Sequence, residues 1–109
     1  MESSSNITEV SLDEAKSIVD GTDKKFIWVG RPTNISIPEI LDVSDTKVLA
    51  IEPDEIPEFE PEKLNILRGC VFVCPHGRTA GAVVRWLQSK GVEAYNLKGG
   101  ATAIVGEIF

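Results

Sequence analysis

The segment Val71-Phe-Val-Cys74-Pro-His-Gly77-Arg-Thr79 constrains this chain more than any other. A short run of apolar β-forming residues stops at a proline. Ala80, Val83, Val84 and Leu87 then recur at helical spacing, with Arg85, Gln88 and Ser89 on the opposite side. Lys90-Gly91 is the expected helix stop, and Val92 to Leu97 reads as a further strand. Strand, helix and strand in succession form a βαβ unit. The fold class is therefore α/β, with a sheet that is at least partly parallel.

The remaining segments fit that frame. Ser11-Leu-Asp-Glu14 is a capping box, in which each side chain can satisfy the other residue's amide, so a helix is expected to start there. Leu12, Ala15, Ile18 and Val19 give that helix an apolar face, and Gly21 ends it. Lys25 to Val29 and Lys47 to Ile51 are apolar runs of strand length. The stretch from Thr33 to Ser44 is ambiguous, with a short helix from Pro38 as one reading. Residues 52–62 hold three prolines, six acidic residues and no basic one, which excludes helix and central strand there and reads as a solvated connecting loop rather than an acidic docking strip for a basic partner. Lys98-Gly-Gly100 is a turn, and Ala101 to Phe109 is expected to form a short terminal helix.

Composition sets the functional bounds. A length of 109 residues, 42% of them hydrophobic, fits one domain over residues 1–109 with one modest core. The net charge of −6 argues against nucleic acid or an anionic membrane surface as partner, because both demand a basic excess. The charge is uneven: residues 1–62 carry five Lys or Arg against fifteen Asp or Glu, whereas residues 63–109 carry six against two. Two cysteines cannot build a disulfide framework. In an extended strand, Cys70 and Cys74 stand about 13 Å apart, too far for a bridge, so both are expected to be free. The first residues show no basic and apolar leader pattern, and no apolar stretch reaches membrane-span length, so a reducing cytoplasm is the expected location. Without secretion, the Asn6-Ile-Thr8 and Asn34-Ile-Ser36 acceptor patterns read as chance.

The basic half holds the residues that carry chemistry. Cys74 ends a strand and precedes a helix, the place where open α/β sheets bind ligands. The loop after it is short, and Gly77 allows positive φ, so several backbone amides can converge on the sulfur. Together with the dipole of the following helix they would favour the thiolate. Arg78 is a neighbouring cation, and His76, the one histidine, can become one. Two readings of each stand, as an attractor of an anionic ligand or as a plain solvated loop residue. Cys70 reads as an inert buried hydrophobe.

The loop Cys74-Pro-His-Gly77-Arg-Thr79, followed by a helix, a strand and Leu97-Lys-Gly99-Gly100, resembles the C-terminal half of single-domain rhodanese-homology proteins. That family delivers its catalytic cysteine in a Cys-x-x-Gly-x-Ser/Thr loop and places a Leu-x-Gly-Gly before its last helix. The likeness covers residues 69–104, and Cys74, Gly77, Thr79, Gly99 and Gly100 match by spacing. In the first half Trp28-Val-Gly-Arg31 replaces the family's Asp-Val-Arg, no Gly-His-Ile-x-Gly-Ala motif follows, and Ile104 stands where an aromatic is common. The resemblance implies an open, mostly parallel sheet flanked by helices and a thiosulfate sulfurtransferase or sulfur carrier without a cofactor. Cys74 would be catalytic, and Pro75, His76, Gly77, Arg78 and Thr79 would bind the substrate. The implied partners are a small anionic sulfur donor and a thiophilic acceptor such as a protein thiol. A rhodanese-like binding or regulatory module without turnover is the alternative, given the divergent first half.

Other chemistries fit the residues less well. A cysteine phosphatase loop needs an Arg six residues after the Cys to clamp phosphoryl oxygens, and that position is Ala80. A zinc site would have to join Cys74 and His76 to Cys70, which lies too far back along the strand, and would still lack a fourth ligand. Gly77-Arg-Thr-Ala-Gly81 lacks the Lys and the spacing of a nucleotide-binding phosphate loop. Trp28 and Trp86 could line a binding surface, but such residues more often pack in the core.

Overall fold

The structure is a computed structural model and describes residues 9–30, 36–52, 54 and 60–105. Arg31, the acceptor patterns at Asn6 and Asn34, most of the acidic 52–62 stretch and the last four residues of the expected terminal helix lie outside the described residues.

Five strands form one sheet: β1 (Glu9–Val10), β2 (Phe26–Val29), β3 (Val48–Ile51), β4 (Val71–Val73) and β5 (Tyr95–Leu97). Their order is β1-β5-β4-β2-β3 and every neighbouring pair is parallel. Among the described residues five helices connect or follow them: α1 (Leu12–Val19), α2 (Ile37–Leu41), α3 (Pro61–Leu67), α4 (Arg78–Ser89) and α5 (Thr102–Val105). A short 3-10 turn, Asp45–Lys47, leads into β3.

Residue type explains the central strands. Phe26, Ile27, Trp28 and Val29 are all buried, as are Val71, Phe72 and Val73, because helices cover both faces of a parallel sheet and strands inside it have no polar side. Ile27, Val29 and Phe72 pack under Leu64 and Leu67 of α3 and Ala80, Val83, Val84 and Leu87 of α4. Phe26, Trp28, Val71 and Val73 pack on the other face against Ala15 and Val19 of α1, Ile37 and Leu41 of α2, and Ala101 with Ile104 of α5 just after it. Trp28 is thus core, and Trp86 packs half-buried on the α4 side, where the Lys90 ammonium stands 5.5 Å from its ring centroid.

The capping box forms as expected: the Ser11 hydroxyl accepts from the Glu14 amide at 3.2 Å, and the Ser11 amide donates to the Glu14 carboxylate at 2.9 Å. Three segments differ from the sequence reading. β1 is a two-residue edge strand, too short for any periodicity to reveal. The fourth expected strand shrinks to Tyr95–Leu97, because the Val92 amide turns back to the Leu87 carbonyl and closes the end of α4 instead of joining the ladder. A helix also begins inside the proline-rich stretch. Pro61 lies in the first turn of α3, where a missing N–H costs no hydrogen bond, so a proline there starts a helix rather than excluding one.

Candidate active site

Strand order decides where a site can form. From β2 the chain moves outward to β3, and from β4 it moves outward the other way to β5. The connections diverge at the carboxyl ends of β2 and β4, leaving the crevice in which open α/β sheets bind ligands. Cys74 is the first residue beyond β4 and stands at that divergence.

The loop folds back under its own sulfur. Gly77 adopts φ 87°, a left-handed conformation that favours glycine, and becomes the N-cap of α4. This turn brings the Gly77 amide to 3.1 Å and the Ala80 amide to 3.2 Å from the Cys74 sulfur. Ala80 is the third residue of the helix, and its amide is one that a capping side chain would ordinarily satisfy. Gly77 has no side chain to do so, and the first turn of α4 carries no acidic residue. The sulfur therefore serves as the helix's capping acceptor, with two amides and the positive end of a twelve-residue helix directed at it.

A second turn braces the loop from below. The Ala101 amide donates to the Cys74 carbonyl at 2.9 Å, and the Thr102 amide to the Pro75 carbonyl at 3.0 Å. Gly100, at φ 68°, makes this approach possible. A Cβ there would strike the Cys74 carbonyl oxygen and fall 2.6 Å from the Gly77 amide nitrogen and 2.7 Å from the Pro75 carbonyl oxygen. The buried Asn96 of β5 donates from its side-chain amide to the Gly77 carbonyl at 3.2 Å.

Of the loop residues singled out in the sequence, Cys74, Pro75, His76, Arg78 and Thr79 line one open depression of about 580 Å³. Gly77 contributes backbone rather than lining. His76, Arg78 and Thr79 are exposed, and among the described residues none of their side chains has a hydrogen-bond or ion-pair partner. Cys74 itself is only 2% exposed, so a reactant must present a slender terminal atom to reach the sulfur. Sequence reasoning did not find Asn96 or the amides of Ala101 and Thr102. Nothing in local spacing links residues 96–102 to residues 74–77.

Both cysteines are free, and both are buried. Burial pushes the Cys70 thiol above its ordinary value, and a backbone hydrogen bond from Lys25 and the charge of Lys24 offset this only in part. Its hydrogen goes to the Ile66 carbonyl at 3.5 Å, so it is a donor where Cys74 is an acceptor. Iodoacetamide at neutral pH should consequently label Cys74 and leave Cys70 intact until the chain is unfolded, as read by peptide mass; early label on Cys70 would contradict this. A raised native value also means that the folded chain holds the Cys70 proton where the unfolded chain releases it. Its contribution to stability is complete at low pH and fades as pH rises above about 8.5. Wild type should lose stability over that range more steeply than Cys70→Ala, measured as Tm against pH.

Among the described residues no group of three or more His, Cys, Asp or Glu is placed to hold a metal ion, and no helix is long and apolar enough to cross a membrane. Comparison with protein-family models and with curated proteins gives no match. Solved structures do match. A rhodanese-related protein from Thermoplasma volcanium is 17% identical with a TM-score of 0.62, the match covering 93% of each chain. A rhodanese-like domain protein from Staphylococcus aureus is 23% identical with a TM-score of 0.55, again over 93% of each chain. A human single-domain sulfurtransferase is 21% identical with a TM-score of 0.58, over 85% of this chain and 90% of its own. These likenesses extend across the divergent first half as well as the loop, and the chain has the rhodanese-like α/β fold.

Proposed function

We propose that the chain is a sulfurtransferase or sulfur carrier acting through Cys74. The observation that carries this reading is the pair of amides, Gly77 and Ala80, donating to a sulfur at a helix N-terminus. Such a cradle stabilises a thiolate before reaction and a persulfide anion after it, without a metal or cofactor.

The Cys74 thiolate attacks the outer sulfur of thiosulfate or a related sulfane donor. A new sulfur–sulfur bond forms at Cys74 while the bond within the donor breaks, and the rest of the donor, sulfite in the case of thiosulfate, leaves with the electron pair. An acceptor thiolate, such as one on a protein, then attacks the terminal sulfur of the persulfide. The sulfur leaves on the acceptor, and the Cys74 thiolate is restored. The near-complete burial of Cys74 suits this chemistry, since the thiosulfate sulfur is a terminal atom that can enter a narrow opening. Pro75, His76, Arg78 and Thr79 would form the donor's rim, and the Gly77 amide its floor. A thiolate cycle of this kind needs a reducing compartment, for which we propose the cytoplasm.

Intact mass after incubation with thiosulfate tests the reading. One added sulfur atom, removable by a thiol, is the expected result. A chain whose Cys74 is alkylated readily yet takes no sulfur from thiosulfate or polysulfide would be a rhodanese-like binding module instead.

Donor capture carries a further expectation. The chain is anionic overall, so an anionic donor is repelled at long range and only the cations of the loop reverse this. Arg78→Ala should slow loading by thiosulfate about fivefold at low salt. It should also flatten the salt dependence, which arises because the screening length falls from about 30 Å at 0.01 M to about 10 Å at 0.1 M. A neutral polysulfane should load nearly as before. Equal slowing with both donors would show that Arg78 supports the loop's structure instead.

A further inference from the structure

We propose that Asn96 is the positioning residue of the Cys74 loop: by holding the Gly77 carbonyl, it sets the first turn of α4 so that the Gly77 and Ala80 amides aim at the sulfur. Its neighbours on β5, Tyr95 and Leu97, face the α1 side of the sheet, so Asn96 faces α4. It is 3% exposed and is the buried polar side chain among the described residues. One of its two polar atoms donates to the Gly77 carbonyl, and the other, the side-chain oxygen, has no hydrogen-bond partner among the described residues.

That arrangement is unfavourable for stability alone. Asparagine is a poor strand former, and a buried oxygen without a partner costs free energy that an apolar side chain of the same shape would not. What the residue supplies is the hydrogen bond to Gly77. The Gly77 carbonyl also accepts the first turn bond of α4, from the Gly81 amide at 3.1 Å. Asn96 and the helix thus grip the same carbonyl, one from the sheet and one from within α4. The gripped residue is the one whose own amide touches the sulfur. Space for the grip comes from Gly81, where a Cβ would stand 3.3 Å from the Asn96 side-chain nitrogen. Without the sheet-side bond, Gly77 can rotate, and the two amides lose their common aim.

The proposal deepens the sulfur-transfer reading, but only the thiosulfate arm of its test rests on that reading. Asn96→Leu keeps the branching and removes both polar atoms. Its Tm should equal or exceed that of wild type, while alkylation of Cys74 by iodoacetamide at neutral pH slows about fivefold, the worth of one hydrogen bond. Thiosulfate loading should slow by the same factor. Asn96→Ala, which removes the donor without adding bulk, should slow alkylation by about the same factor and decides the matter should the leucine variant fold poorly. Wild-type alkylation rates in both variants would overturn the proposal. So would a loss of reactivity that merely tracks a loss of Tm in both variants, since that marks general loosening. A wild type that alkylates but takes up no sulfur would defeat the sulfur-transfer reading and leave the alkylation comparison to judge Asn96.

Discussion

Gly100→Ala should silence Cys74 and destabilise the fold by about 3 kcal/mol, whereas Gly91→Ala, at an almost equal φ, should cost about 1 kcal/mol and leave Cys74 reactive. The two glycines have φ of 68° and 79°, so the intrinsic strain of placing an alanine there is the same. They differ in surroundings. Nothing lies within 4 Å of a Cβ at Gly91, but at Gly100 it would meet three backbone atoms of the Cys74 loop, which cannot swing aside as a flexible side chain would. The loop must lift away, and the hydrogen bonds from Ala101 to Cys74 and from Thr102 to Pro75 are lost with it. For a domain of this size the difference corresponds to a Tm lower by roughly 8–16 °C in Gly100→Ala than in Gly91→Ala. Iodoacetamide labelling of Cys74 and thermal melts of both variants measure it. Equal melting temperatures, or a Gly100→Ala protein that keeps wild-type reactivity, would show that the loop does not rest on this glycine.

Cys74→Ser should abolish sulfur uptake altogether and hardly change stability. The hydroxyl is a far weaker nucleophile than a thiolate and cannot form a persulfide, so no residual loading is expected. It remains a hydrogen-bond acceptor, and the Gly77 and Ala80 amides that now reach the sulfur can turn to the serine oxygen, so the cap of α4 survives. A shift in Tm of no more than a few degrees is expected. Cys70→Ala should behave in the opposite way. It keeps sulfur uptake and loses some stability, because Cys70 packs in the core beside Leu67 and Phe72 and lies at the other end of β4. Sulfur found on the Cys70 peptide of Cys74→Ser would overturn the assignment of the reactive thiol.

Much of the frame was legible because it is local. The Ser11–Glu14 capping box, the burial of Phe26–Val29 and Val71–Val73, and the stripe of Ala80, Val83, Val84 and Leu87 each depend on residues within one or two turns of each other. The same holds for the loop itself. A strand that ends at Cys74, a glycine three residues on and a helix from Arg78 suffice to turn backbone amides toward the sulfur. The α3 helix was missed for a local reason as well: Pro61 reads as a breaker until its place in the first turn is known.

The sequence by itself determined the α/β class and the loop that carries Cys74, since periodicity and turn chemistry act between near neighbours. The tertiary structure alone decided the order β1-β5-β4-β2-β3, which puts Cys74 where the chain's connections diverge. It alone brought Gly100, Ala101 and Thr102 beneath the Cys74 and Pro75 carbonyls and Asn96 onto the Gly77 carbonyl. Those contacts join residues separated by the whole of α4. Parallel pairing of β4 with β5 is what closes that distance, and no pattern within either segment records which partner the other will meet.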